Sequence, residues 1–416
     1  MRNLSILTAA RGGRAPRRVL PLALLICLCL VFSAEESAAD TSCRNGQSFD
    51  AWLADFAAEG ARKGLTRRSL AQLQGLSPDS KVLSRDRGQP SLSLSFTDFA
   101  DRLISQNRLS RGRAMLDRYA STFAAIERDF GVQGPVLAAF WGLETDFGGY
   151  MGEFSSLRSL ATLAYDCRRS ELFREELFAA LVLLERGDLT PEEMRGAWAG
   201  EIGQVQFTPS NYLKFGVDYD GDGRRDLVKS VPDALASAAK FLRHLGWRAN
   251  APWIEEVEVG PNVPWDEAGR GRYRSRADWA RDGVRRRGGD RLPADRVDAA
   301  LVLPMGRDGP AFLAYRNFDI FWEWNNSSNY SLAAAYFATR LAGAPPMRRG
   351  NPAAMLSSKE LLEVQTRLNR LGYDAGPPDG RLGQKTRAGV RAAQLAFGLP
   401  ADGYPTRALL ERLRRQ

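Results

Sequence analysis

One glutamate sits where a solvated charge does not belong. In the run Gly134-Pro-Val-Leu-Ala-Ala-Phe-Trp-Gly-Leu-Glu144-Thr-Asp-Phe-Gly-Gly149, the residues Val136, Leu137, Phe140, Glu144 and Phe147 recur at three- and four-residue spacings. That spacing predicts a helix whose apolar stripe carries a carboxyl. Pro135 fits its first turn and Gly148-Gly149 its end. A carboxyl in apolar surroundings resists ionisation, so its pKa rises. Still protonated near neutral pH, it is equipped to act as a general acid. A snorkelling carboxylate at a helix end fits the same spacing. Asp146 points to another face and reads as solvated or as a helix-end residue.

A second group of acids suggests a cation. Asp218, Asp220 and Asp222 alternate before Gly223, as at the first, third and fifth positions of an EF-hand loop with its turn glycine. The expected occupant is a structural calcium ion. Lys229 stands at the twelfth position in place of the usual glutamate, which leaves Asp233 to close the shell. Asp233 equally reads as a helix-start residue, and the whole stretch as an Asx-rich turn without metal.

The chain has a single histidine, His244, near a predicted helix C-terminus. Ser-His-Asp and Cys-His machinery would have to share that residue, and zinc sites built on several histidines are excluded. The chemistry therefore rests on carboxylates. The net charge of +9 is spread over arginines without a nucleotide loop or helix-turn-helix pattern, so no nucleic-acid partner is expected. Arg11, Arg14, Arg17 and Arg18 precede an apolar run from Val19 to Phe32, and Ser37-Ala38-Ala39 offers a cleavage site. Residues 1–39 thus read as a secretory signal, too short for a comfortable membrane span. Cys27 and Cys29 do not follow the small residue of a lipoprotein signal, so no lipid anchor is expected, and the predicted location is the periplasm. Cys43 and Cys167 remain after cleavage, and an oxidising compartment favours their disulfide over two buried thiols.

The elements that must position these residues are mostly helical. Phe49, Trp52, Leu53 and Phe56 form one stripe, and Leu172, Leu177, Leu181 and Leu184 contribute to another. An alanine-rich helix is predicted from Ser328 to Leu341. Residues 254–304 have the weakest helical pattern and suggest a small loop or strand subdomain. Gly343-Ala-Pro-Pro-Met-Arg-Arg-Gly-Asn-Pro352 reads as part of a linker over 343–355. Ser357 and Glu360 then form a capping box, followed by Leu361, Val364, Leu368 and Leu371 on one face. A second helix should bury Val390, Ala393, Gln394 and Phe397, and a third ends near Leu413. The predicted fold is mainly α, with a catalytic domain over 40–342 and a small three-helix domain over 356–416.

Two known families resemble these segments. The C-terminal segment resembles the peptidoglycan-binding domain family 1 through Val364-Gln365, Leu371-Gly372-Tyr373, Gly376-Pro-Pro-Asp-Gly380, Lys385-Thr386, Gln394, Gly398-Leu399 and Asp402-Gly403. The larger segment resembles the lytic murein transglycosylase B family (glycoside hydrolase family 103). It does so through Asp86-Arg-Gly-Gln89-Pro, Trp141-Gly-Leu-Glu144-Thr-Asp-Phe-Gly148, Leu160-Ala-Thr-Leu-Ala-Tyr-Asp-Cys167-Arg-Arg169, Trp198-Ala-Gly-Glu-Ile-Gly-Gln204-Val-Gln206-Phe-Thr-Pro-Ser210-Asn-Tyr212 and Asn325-Asn-Ser-Ser-Asn-Tyr330. The resemblance implies a lysozyme-like helical domain with Glu144 as the catalytic acid and Gln206, Trp324, Asn325 and Tyr330 in the glycan cleft.

The implied reaction is non-hydrolytic cleavage of the MurNAc-GlcNAc β-1,4 bond of peptidoglycan. One glutamate acts first as acid and then as base, and the muramyl O6 closes a 1,6-anhydro ring. No cofactor is needed for that chemistry, and the expected form is a monomer acting on glycan strands. Two other functions stay open: a hydrolytic muramidase, which needs a second placed carboxylate, and a catalytically weak peptidoglycan-binding scaffold.

Overall fold

The computed structural model describes residues 44, 46–88 and 94–416. The predicted signal segment, Cys43 and Gln89 lie outside the described residues. The helix carrying Glu144 runs from Gly134 to Thr145, with Pro135 in its first turn. It is buried on every side rather than along one stripe: Val136, Leu137, Ala138, Ala139 and Phe140 are fully enclosed, and Trp141 is 1% exposed. A helix that is apolar all round belongs inside a core, and helices Gln106–Arg118, Ala120–Phe130, Val231–His244 and Ser328–Leu341 pack around this one. The predicted end is shifted. Asp146 is the left-handed cap (φ 53°) and Phe147 is left-handed too (φ 61°), so Phe147 lies beyond the helix. Its ring turns back onto the helix at Gly142, where a Cβ would meet it at 2.6 Å.

The predicted stripe of Phe49, Trp52, Leu53 and Phe56 is the buried face of helix Phe49–Arg62. Two short strands, β1 (Phe154–Ser155) and β2 (Arg195–Gly196), pair antiparallel beside the body. Gly196 is required there, because a Cβ would lie 1.6 Å from the Glu201 carbonyl oxygen.

The weakly helical stretch is a five-stranded antiparallel sheet. Its strands are β3 (Ile254–Glu258), β4 (Arg274–Ser275), β5 (Arg285–Arg286), β6 (Asp298–Val302) and β7 (Phe312–Tyr315), in the order β4-β6-β7-β3-β5. β6 and β7 pair Leu301 with Leu313. Both residues join Val257 and Trp279 in a core separate from the helical one. The subdomain therefore extends past residue 304 to Tyr315, because β7 is its central strand.

The C-terminal domain has three helices, Ser358–Arg370, Gln384–Ala396 and Arg407–Arg414, and the first carries the predicted capping box. Leu361, Val364, Leu368, Val390 and Ala393 are buried, whereas Leu371 caps its helix and is exposed. Two buried glutamines clamp the Asp-Gly turns. Gln365 accepts from Asp379 N and Gly380 N, at 3.0 and 2.8 Å. Gln394 accepts from Gly403 N at 2.8 Å and donates to Asp402 at 2.9 Å. Those motif residues hold turns together.

The predicted linker is strapped to the body. Met347 is buried, and its N–H donates to the Tyr336 hydroxyl at 2.9 Å. Arg348 pairs with Glu258, and Arg349 with Asp101 at 2.6 Å. Composition marked the proline and glycine but not the carboxylates waiting across the surface for these arginines.

Candidate active site

Glu144 lies in the last turn of its helix, facing the junction of helices Arg316–Asn325 and Ser328–Leu341. Asn326 reverses the chain there in a left-handed conformation (φ 54°). Ser327 caps the next helix by accepting from Tyr330 N. The turn delivers Trp324 and Tyr330 to one carboxyl oxygen. Trp324 Nε1 donates to Glu144 Oε1 at 2.9 Å, and the Tyr330 hydroxyl donates to the same atom. Phe140 stacks on Trp324 at 4.3 Å, and Phe241 tilts against its ring at 5.6 Å.

Burial behind this aromatic wall pushes the Glu144 pKa up to about 7, against the pull of the Tyr330 and Trp324 hydrogen bonds; the nearby Glu201 carboxyl pushes it further the same way. Part of the residue's surface remains open to solvent. Oε1 is the oxygen held by both donors, and no hydrogen bond among the described residues reaches Oε2.

Trp141 bonds to a different group. Its indole donates to Gln204 Oε1 at 2.9 Å, while Thr145 Oγ1 donates to the Gln204 carbonyl at 2.6 Å. These bonds fasten the loop carrying Gln206 to the helix. Gln206 takes a left-handed φ of 49°, and its amide donates to Gly203 O and Met151 O. A non-glycine residue held in that region marks a locally over-determined site. Asn325 is exposed at its helix end, and no hydrogen bond among the described residues joins it to Glu144. Asp146 pairs with Arg108 at 3.2 Å and with Arg111, as a helix-end acid should. Two distant motifs also meet, where Asp86 pairs with Arg168 and Arg169.

Glu201 was not singled out by the sequence. Its Oε2 is buried without a hydrogen-bond partner among the described residues, and burial raises its pKa. Its only signal was its place inside the Trp198–Gln206 motif.

Asp218, Asp220 and Asp222 each offer a carboxylate oxygen, all within 4.8 Å of one another. This donor set suits a hard cation. Asp233 does not join it. That carboxylate is fully buried and accepts from the backbone N–H groups of Tyr219, Asp220 and Asp226, so it braces the loop from behind. Lys229 turns away to Glu193 at 2.6 Å. His244 is exposed at the end of helix Val231–His244, as expected. No helix of the described residues is long and apolar enough to cross a membrane.

The helical body, with Glu144 set against an aromatic wall, has a lysozyme-like fold. The family described as transglycosylase SLT domain matches residues 48–339, and the chain belongs to it. A peptidoglycan-binding domain matches residues 357–413. SltB3 from Pseudomonas aeruginosa, solved with NAG-anhNAM-pentapeptide and with NAG-NAM-pentapeptide, is 37% identical at a TM-score of 0.83, covering 89% of this chain and 100% of that one. Membrane-bound lytic murein transglycosylase B of Escherichia coli is 28% identical over 45% of this chain, which spans 54% of that relative's length. Escherichia coli SLT35, solved in complex with calcium, is 24% identical over 70% of this chain and 92% of that one, with a TM-score of 0.60, and shows the fold alone.

Proposed function

We propose that this protein is an exported lytic murein transglycosylase with Glu144 as its single acid and base. The observation that carries this reading is the Glu144 carboxyl, held at one oxygen by Trp324 and Tyr330, with its pKa pushed up to about 7 by desolvation. Protonated Glu144 gives its proton to the glycosidic oxygen as the bond from muramyl C1 breaks. The carboxylate then takes the proton from the muramyl O6 hydroxyl, and O6 bonds to C1. No water is consumed. Gln206 and Asn325 are assigned to the glycan cleft.

A hydrolytic muramidase would need a second, ionised carboxylate to activate water or attack C1. Glu201 is the nearby candidate, but burial holds it towards its protonated form, which disfavours hydrolysis. Mass spectrometry of products from purified murein tests the choice. Products one water lighter than the hydrolytic ones are expected, and products at the hydrolytic mass would reject the transglycosylase. Absence of any product would favour a binding scaffold.

The acid must be protonated, so kcat/KM should fall as pH rises through about 7. Tyr330→Phe removes a bond that stabilises the carboxylate and so raises the Glu144 pKa. The alkaline limb should move to higher pH, alongside any loss of rate. A pH profile with the limb unmoved would separate Tyr330 from the titrating acid.

The three-aspartate loop is assigned to structural calcium. Asp218, Asp220 and Asp222 would hold the ion, which supplies charge neutralisation in the turn. Binding stabilises the folded state by RT ln(1 + [L]/Kd), so millimolar calcium should raise the melting temperature. A midpoint indifferent to both calcium and chelator would leave an Asx-rich turn. Cys43 is assigned as the partner of Cys167. Alkylation of unreduced mature protein should then label neither cysteine.

A further inference from the structure

The seam between the sheet subdomain and the C-terminal domain holds a cavity of about 200 Å³ whose lining does not include Glu144. Four arginines line it: Arg270 and Arg272 before β4, and Arg387 and Arg391 from helix Gln384–Ala396. The one acid in the lining, Asp402, has its oxygens occupied. Oδ1 accepts from Gln394 Nε2 and Tyr404 N, both at 2.9 Å, and Oδ2 accepts from Arg307 N at 3.0 Å. Arg387 donates to the carbonyl oxygens of Leu303 and Pro304, at 3.3 and 2.6 Å. Arg391 is only 8% exposed, and its Nε has no hydrogen-bond partner among the described residues.

Burial pulls the pKa values of Arg387, Arg391 and Arg270 down, Arg387 to about 10. Arg270 keeps an ion pair with Asp319 at 3.8 Å, whereas Arg387 and Arg391 form none among the described residues, so these two cations lack the close negative charge that their burial requires. The opposite wall carries Ser328 and Asn329 beside an apolar patch. Leu332 and Phe318 line it, and Trp322 carries the Arg270 guanidinium 3.9 Å above its ring. These residues belong to the same two helices whose junction places Trp324 and Tyr330 on Glu144.

We propose that this seam binds the free C-terminal carboxylate of a peptidoglycan stem peptide, with Arg391 as its principal contact. Guanidinium groups match a planar carboxylate through paired hydrogen bonds, and the apolar patch suits the small side chain next to that carboxylate. A phosphate-rich polymer would place charge against Trp322 and Leu332 instead. The proposal rests on the peptidoglycan reading above, and it makes the seam a reader of the stem at a distance from the scissile bond.

Calorimetry on the full chain tests it, with a synthetic stem pentapeptide, the same peptide amidated at its C-terminus, and inorganic phosphate. The free acid should bind at least about tenfold more tightly than the amide, the worth of one charge-assisted hydrogen-bond pair. Arg391→Gln should remove that preference, and Arg391→Lys should restore part of it. Arg272→Gln, at an exposed rim position, should weaken the acid without disturbing the fold, which covers the case of an unfolded Arg391→Gln. Both glutamine variants should cleave stem-free glycan strands at the wild-type rate. Equal binding of acid and amide, no binding of the acid, phosphate binding as tight as the peptide, or acid binding unchanged in both variants would each overturn the proposal. Failure of the wild-type chain to cleave stem-free strands and sacculi alike would instead count against the transglycosylase reading.

Discussion

Glu144→Gln is expected to lower lytic turnover by about 10²–10⁴-fold or more, the range for loss of a general acid. The amide keeps the shape of the side chain, and its oxygen still accepts from Trp324 Nε1 and the Tyr330 hydroxyl, the two donors on Glu144 Oε1. What it lacks is a proton to transfer. Asp146 cannot substitute, because it is held outside the helix end by Arg108 and Arg111. Glu201 is enclosed and held towards its protonated form, but it reached that position as part of the loop behind the helix and not among the groups bonded to Glu144. Release of soluble products from murein checks the expectation, with circular dichroism confirming the fold. Near-normal turnover in a folded variant would place the acid elsewhere. Conversely, a loss of both activity and fold would leave the role of the carboxyl to the pH profile.

Glu144 stood out because a carboxyl on an apolar helix breaks a hydrophobic pattern. Its partners were legible only through resemblance, since nothing in the spacing of Trp324 and Tyr330 points across the fold to residue 144. The connection is made by Asn326, which reverses the chain between two helices. The sheet appeared in sequence only as an absence of helical pattern, because β4 and β5 are two residues long and show no alternation. Asp233 stayed between two readings, shell ligand and helix-start residue, for a related reason. A carboxylate that caps three backbone N–H groups and one that binds a cation are the same residue type at the same loop spacing, and only burial tells them apart. Glu201 had no signal beyond its place in the Trp198–Gln206 motif, and the arginine seam had none. The first depends on a loop folding under a helix, and the second on two domains meeting.

The same substitution should stabilise the protein at alkaline pH. Burial raises the Glu144 pKa from 4.5 to about 7 in the folded state. Below the unfolded value both states hold the proton. As pH rises from 4.5, the unfolded chain releases its proton first, so folding loses stability until the folded carboxyl ionises near 7, and the loss is constant above that. At about 1.4 kcal/mol per unit the full effect is on the order of 3 kcal/mol, an upper figure because part of the residue still touches solvent. Glutamine has no charge to desolvate, and it keeps both hydrogen bonds to its oxygen. Glu176, Glu201 and Asp233 are also raised by burial, but they are present in both proteins and largely cancel in the comparison. Removing the negative charge of residue 144 also eases ionisation of Glu201, which adds in the same direction. Melting midpoints of wild type and Glu144→Gln should therefore coincide near pH 4.5 and separate by several degrees at pH 8, with the inactive variant higher. Midpoints that coincide at both values would show that Glu144 ionises in the folded protein as easily as in the unfolded chain, and the enclosed carboxyl could not then be the proton donor at neutral pH.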